Sequence, residues 1–371
     1  MNEKAHSPWD LPHGNADSLE LARVLGWQIV VKKGEFKAGD KVVYLEIDSV
    51  CPKCDWSLFL EKHGFRIKTI RLRGQLSQGL ILPLTILGNN NPEESTDVTD
   101  QLSITKYESA DEKFTINDFI KSYPFPINIG FNKTDEPRAQ SMPFMLDLFR
   151  GKKWFATLKV DGTSATFFID PETKELAICS RNNRVEFPLK EDNPTGSASS
   201  AEHNTTIDEE KVNKSGSFHL KYVMKNNQLK DSLTKYPHLV IQGELYGPKI
   251  QGNPLCVPEL SLAVFSIYDM SKRSYCNMNE MVDYCNKLGL KMVDIIYKGD
   301  DFNFTIKDLL DMVKGKYPNS KFDREGLVFR LQDEFFVANA PRTNPIRDEV
   351  IIDSFRASFK VINNDYLEKE K

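Results

Sequence analysis

The feature that most constrains this chain is a series of short apolar runs, each with an ionic residue beside or inside it. In order they are Thr157-Leu158-Lys159-Val160-Asp161-Gly162, Ser180-Arg181-Asn182-Asn183, Gly243-Glu244-Leu245-Tyr246-Gly247, Glu325-Gly326-Leu327-Val328-Phe329-Arg330 and Ser358-Phe359-Lys360-Val361-Ile362. A charge set against the apolar face of a sheet is unfavourable unless it has partners. Singly, each reads as a surface charge on an edge strand, and Lys-x-Asp-Gly as a surface turn. Together they do not fit a solvated face. They call for strands whose ionic residues converge on one another or on a ligand.

The chain has 371 residues, room for two domains at roughly 150 residues each. Apolar residues make up 40% and charged residues 27%, an ordinary globular balance. Mean hydropathy is −0.44 and no run is long and apolar enough to span a bilayer, which excludes a membrane helix. The start, Met1-Asn2-Glu3-Lys4-Ala5-His6, lacks the apolar core of a signal peptide, so an intracellular location is expected, with cytoplasm and nucleus not distinguished. Six cysteines are too few for a disulfide scaffold. Cys51-Pro52-Lys53-Cys54 has no second pair, and two ordinary thiols are expected. With a net charge of −4 there is no overall basic field, so nucleic acid would have to be held by local patches.

Residues 18–110 read as short strands and turns with little helix, which indicates a small β-barrel. Within it, 66–73 alternates and carries Arg66, Lys68, Arg71 and Arg73, four cations in eight residues. Such a patch suits phosphate contacts; the alternative is a solvated edge strand protected by charge. Polar residues and Pro punctuation over 111–137 read as a linker. From 138 to 371, strands are expected near 154–160, 164–169, 176–179, 239–245, 262–268, 326–331 and 355–362. Helices are expected at 279–288 and 305–313, the latter opened by Thr305-Ile306-Lys307-Asp308 at capping-box spacing. This is an α+β domain. Residues 190–217 carry almost no apolar content and are expected to be a mobile insertion.

The five ionic segments resemble motifs I, Ia, III, IV and V of the covalent nucleotidyltransferases, the ATP-dependent polynucleotide ligases and mRNA capping enzymes. The run Arg71-Leu72-Arg73-Gly74-Gln75-Leu76-Ser77-Gln78-Gly79 resembles the N-terminal OB domain of one branch of RNA ligases. That branch places its OB domain ahead of the transferase domain; DNA ligases and capping enzymes place theirs after it. The resemblance implies an OB-fold barrel over 1–110, a linker over 111–137 and a ligase-type α+β transferase domain, antiparallel sheets with flanking helices, over 138–371.

It also implies roles. Lys159 is the nucleophile toward the ATP α-phosphorus, forming lysyl-AMP. AMP then passes to an RNA 5′-phosphate, and a 3′-OH displaces it. Thr157 and Leu158 flank the nucleophile in the nucleotide site. Asp161, Glu244 and Glu325 are the candidates to hold Mg²⁺ or Mn²⁺, directly or through its waters, with Glu244 alternatively on the ribose hydroxyls. Arg181 faces the ribose or the RNA end, Lys360 the α-phosphate, and Phe265 the adenine ring, its alternative being plain core packing. Arg330 is a further phosphate candidate, although its spacing from Glu325 puts it on the opposite strand face. The chemistry is consistent with these residue types. Only about one lysine in 2,500 is neutral at pH 7 for an ordinary pKa of about 10.4, so the nucleophile needs an environment that favours the free amine.

One position departs from the pattern. Ligase motif V often reads Lys-x-Lys, and here Ile362 stands at the second lysine. Arg138, Arg150, Lys152 and Lys153 are the candidate substitutes. The leading reading is an ATP-dependent RNA ligase, monomeric by default, that seals RNA nicks or breaks. A DNA ligase or GTP-using capping enzyme is the near alternative, and a non-catalytic RNA-binding protein the alternative from another class.

Overall fold

The computed structural model describes residues 11–12, 18–88, 91–107, 121–126, 130–190, 207–333 and 354–369, with the backbone of 336–338, 342–344 and 349–351. In the N-terminal domain, strands Leu19–Val24 and Trp27–Lys32 pair as a hairpin, with Leu11–Pro12 added at the edge. Val42–Leu45 pairs with Leu80–Pro83, Ser49–Val50 with Thr105–Lys106, and Thr69–Leu72 with Gln75–Gln78. Trp27, Ile29, Val43, Leu45, Ile67 and Ile81 fill its core. These are separate ladders rather than one closed barrel.

The alternating stretch 66–73 is strand only over Thr69–Leu72. Arg73 and Gly74 form a two-residue turn, both with positive φ (46° and 87°). That conformation matches the twist of the paired strands and suits glycine at the second position.

Two antiparallel sheets make the second domain. The seven-stranded sheet runs Ser122–Pro124, Asn183–Val185, Leu176–Cys179, Thr163–Ile169, Leu239–Tyr246, Ser261–Asp269, Ser274–Tyr275. The four-stranded sheet runs Ile295–Gly299, Trp154–Lys159, Gly326–Leu331, Ser358–Ile362. Helices Phe218–Lys225, Asn227–Lys235 and Met278–Leu288 close the core of the first sheet with Leu220, Leu233 and Met281. Helices Phe144–Phe149 and Ile306–Met312 cover the second, over a ring cluster of Phe149, Trp154, Phe302, Phe329 and Phe359. Thr305 caps the latter helix, and the capping box with Asp308 forms as expected.

Two expectations change. The stretch read as linker is built into the second domain: Ser122–Pro124 is an edge strand, which tolerates proline, and Phe125 and Phe131 are buried. Residues 111–120 and 127–129 lie outside the described residues. The stretch read as a mobile insertion includes the helix Glu209–Ser215, whose Val212 and Ser215 are buried and whose N-terminus Asp208 caps; residues 191–206 lie outside the described residues. Among the described residues, all six cysteines are free, and no helix is long and apolar enough to cross a membrane.

Candidate active site

Alternation along Trp154–Lys159 decides which of its side chains can do chemistry. Trp154, Ala156 and Leu158 enter the core behind the sheet. Thr157 and Lys159 share the opposite face, which looks into a cleft of about 1570 Å³ between the two sheets, roofed by the N-terminal domain. The Leu158 side chain packs into the core, while the residue itself borders the cleft between Thr157 and Lys159.

Lys159 ends its strand opposite Gly326, so Glu325 is its neighbour across the ladder. Lys159 Nζ lies 2.7 Å from Glu325 Oε1. Burial alone would pull the Lys159 ammonium down, but the carboxylates of Glu325, Glu244 and Asp161 outweigh it and hold the amine charged above its ordinary value. Tyr317 ties the two strands at this point: its hydroxyl donates to the Lys159 carbonyl and accepts from the Glu325 N–H, both at 3.1 Å. Tyr366 Oη donates to Asp161 Oδ2 at 2.9 Å.

Glu244 projects from the facing sheet, where its strand pairs with Ser164 and Ala263. The approach to Lys159 is close because position 162 is glycine. A Cβ there would stand 2.3 Å from the Leu245 carbonyl oxygen and 2.8 Å from Glu244 Cγ. Burial, with Glu325 and Asp161 nearby and Lys159 opposing, pushes the Glu244 carboxyl up to about 8.

These donors fit a hard divalent cation. Among the described residues Glu325 Oε2 is buried without a hydrogen-bond partner, and Glu244 is raised first by burial and further by Glu325 and Asp161, whose charge a cation would offset. Among the described residues no three carboxylate, histidine or cysteine groups converge into a full cage. Mg²⁺ and Mn²⁺ are commonly held by one or two carboxylates, with waters and phosphates completing the shell.

Asp135 gathers the cations of the cleft. Its carboxylate lies 2.9 Å from Lys360, 2.9 Å from Arg181 and 2.9 Å from Lys106 of the N-terminal domain. Burial would raise its pKa, but these three cations hold it far below the carboxylate range. Lys360 is lowered by burial, with Asp135 opposing. Neither Asp135 nor Glu136 was singled out in the sequence; the one available signal was their place just before Pro137.

Glu136 accounts for Arg330, which is buried, pairs with Glu136 at 2.8 Å and donates to the Phe265 carbonyl. Arg330 borders the cleft, with its guanidinium engaged by Glu136 and the Phe265 carbonyl. Phe265 lines the cleft and also packs on the second core.

Ile362 is buried in the apolar cluster of the N-terminal domain, where a lysine would lose its hydration. Of the four proposed substitutes, Arg138 alone lines the cleft. It pairs with Asp48 at 2.7 Å, and among the described residues its Nη1 has no hydrogen-bond partner. Arg150 instead binds Asp147 and Asn303, and Lys153 faces Asp300.

The expected basic patch is divided. Arg66 is buried against Asp48 at 2.6 Å and stacks on Tyr107, so it is a structural cation rather than an RNA contact. Lys68 is half-buried, Arg71 is exposed and pairs with Glu368 at 2.6 Å, and Arg73 is exposed at the turn.

Comparison with known proteins gives a consistent picture. A model of the RNA ligase family matches residues 152–351, and an OB-fold domain model matches residues 10–84. Curated proteins yield no match. Among solved structures, a glutamate-to-alanine variant of Naegleria gruberi RNA ligase with ATP and Mn is 30% identical, with a TM-score of 0.74, covering 97% of this chain and 96% of that one. The same ligase with PPi is also 30% identical, with a TM-score of 0.73, covering 96% and 95%. A second glutamate-to-alanine variant with AMP and Mn gives 30% and 0.73, covering 97% and 95%.

Proposed function

The chain belongs to the RNA ligase family and is an ATP-dependent RNA ligase, and we propose that it seals RNA 3′-OH and 5′-phosphate ends through a lysyl-AMP on Lys159. The observation that carries this is the Lys159–Glu325 pair at 2.7 Å, set in a cleft that also holds Glu244, Asp161, Arg181 and Lys360.

In the first step the free amine of Lys159 attacks the ATP α-phosphorus. A nitrogen–phosphorus bond forms, the bond to pyrophosphate breaks, and the nitrogen, made cationic by the attack, gives a proton to solvent. In the second, an RNA 5′-phosphate oxygen attacks the same phosphorus. Lys159 leaves, takes up a proton, and RNA-adenylate forms. In the third, an RNA 3′-oxygen bonds to the 5′-phosphorus, the phosphoanhydride bond to AMP breaks, and the hydroxyl proton passes to solvent.

Each residue has a physical task in this scheme. Glu325 and Tyr317 fix the nucleophile's direction, because a near-attack geometry supplies much of the rate. Burial favours the neutral amine once the charge of Glu325 and Glu244 is compensated. Glu325, Glu244 and Asp161 would hold Mg²⁺ or Mn²⁺, which when bound would offset their charge and charge at the α-phosphate. Lys360, Arg181 and Arg138 bind phosphate oxygens, Phe265 stacks on the base, and Thr157 flanks the nucleotide. Exposed Arg71 and Arg73, with Lys68, contact the RNA backbone. Repair of broken or nicked RNA is the process this chemistry serves.

Intact mass after incubation with ATP and Mg²⁺ or Mn²⁺ tests the reading. A gain of one AMP with ATP, no corresponding gain with GTP, and loss of the adduct in Lys159→Met are expected, together with sealing of 5′-phosphorylated RNA. No adduct, or an adduct on another residue, overturns it.

A further inference from the structure

The last described stretch, beyond Ile362, lies between the two domains and is held by both. On one side, Ile362 and Leu367 are buried in the apolar cluster of the OB domain with Trp27, Val43 and Ile67, and Tyr366 packs beside them. Gln78 Nε2 donates to Asn364 Oδ1 at 3.2 Å, and Arg71 pairs with Glu368 at 2.6 Å. On the other side, the Asn363 N–H donates to the Glu325 carbonyl at 2.8 Å and its side-chain amide to the Arg324 carbonyl at 3.2 Å. Lys369 pairs with Asp323. Between these anchors the Tyr366 hydroxyl reaches Asp161, two residues past the nucleophile.

We propose that Tyr366 is a positioning residue for lysine adenylylation: its hydroxyl fixes the Asp161 carboxylate beside Lys159, and the OB domain sets that hydroxyl by seating the turn Asn364–Leu367. The inference rests on the reading of Lys159 as the AMP acceptor.

The physical basis is the geometry of a short rotor. Asp161 lies in the turn between Lys159 and Gly162, outside any strand ladder, so side-chain bonds set its direction. A charge-assisted bond from a phenol is directional and short. The phenol itself is immobilised by packing on a different domain. A shift of Asp161 by a fraction of an ångström changes the field at the Lys159 amine without changing the site that holds the base.

Tyr366→Phe keeps the packing and removes the hydroxyl. Lysyl-AMP formation is followed in single turnover against ATP concentration, alongside thermal unfolding. The expected result is a rate constant about tenfold lower, with the ATP concentration for half-maximal rate within about twofold of wild type. The unfolding midpoint stays within about 2 °C. Arg71→Glu is expected to slow the same RNA-free step, and adding Glu368→Arg to restore it. A Tyr366→Phe rate equal to wild type overturns the positioning role, and failure of the charge swap to restore Arg71→Glu overturns its seating by the OB domain. Absence of any adduct on the wild-type chain overturns the parent reading and this inference with it, whereas a wild-type adduct alongside an unaffected Tyr366→Phe sinks the inference alone.

Discussion

Lys159 and Glu325 meet at 2.7 Å because their strands run antiparallel with Lys159 opposite Gly326. Glu325 is the nearest charge opposing the burial of the amine. In Glu325→Gln the burial effect dominates, and Lys159 becomes neutral at lower pH. The pH dependence of Lys159 labelling by an amine-reactive reagent, read by peptide mass, is expected to shift to lower pH. An unchanged profile would show that Glu325 does not control the amine. Adenylylation should still fall, by about a hundredfold, since the same change misplaces the nucleophile.

Glu244 titrates near 8, above its ordinary 4.5. A carboxyl raised in the folded state stabilises the fold fully below its unfolded pKa, and that stability is lost as pH rises through the folded value. The loss therefore grows between about pH 4.5 and 8. Glu244→Gln has no such term, so its unfolding midpoint should match wild type near pH 5 and exceed it by a few degrees at pH 8.5, without added divalent cation. A gap that is constant with pH would contradict the raised carboxyl.

Gly162 has no room for a side chain, with the Leu245 carbonyl oxygen 2.3 Å from the site of a Cβ. Backbone on that side cannot move without shifting the strand that bears Glu244. Gly162→Ala is expected to lose about 2 kcal/mol of stability and nearly all adenylylation, measured by denaturant unfolding and adduct mass. Wild-type stability would refute the close approach.

Much of this site could be read in the sequence because strand alternation is local. The strands near 154–160 and 326–331 form close to where their apolar runs placed them, and the Thr305–Asp308 box sits where its spacing placed it. What escaped was set by long-range contact. Asp135 and Glu136 looked like linker because nothing nearby shows that Lys360, 225 residues away, pairs with the first. Tyr317 and Tyr366 carry no local signal, since a phenol's partner depends on tertiary placement. Arg66 alternated with Lys68 in a polar strand pattern, but Asp48 and Tyr107 drew it inward.

Arg66 and Arg73 should therefore separate stability from RNA contact. Arg66→Met leaves Asp48 short of a buried partner and is expected to destabilise by about 2 kcal/mol. Arg73→Ala should leave stability within about 0.5 kcal/mol. It should weaken RNA binding across sequences and lower the salt slope by about one. Chemical unfolding and filter binding over a salt series check both; a destabilised Arg73→Ala or a stable Arg66→Met reverses the assignment.

Asp135 is held low by three cations, so its contribution to stability is present above the ordinary carboxylate pKa and is lost as pH falls through the folded value. Asp135→Asn is expected to unfold more easily at pH 7, by about 1 kcal/mol after allowance for solvent screening. The difference should narrow below about pH 4. Sealing should fall with it, since Lys360 and Arg181 lose their common anchor. Equal stability at pH 7 would show that the cluster is not held by Asp135.

The pairs Lys106–Asp135 and Arg138–Asp48 each tie the two domains across the cleft. Dissolved ions that compete for the RNA backbone also compete for these ties. A salt titration of sealing thus sums two events, release of the polynucleotide and loosening of the enzyme's own halves. Counting phosphate contacts from its steepness would overstate them unless the same titration is run on the RNA-free step and subtracted.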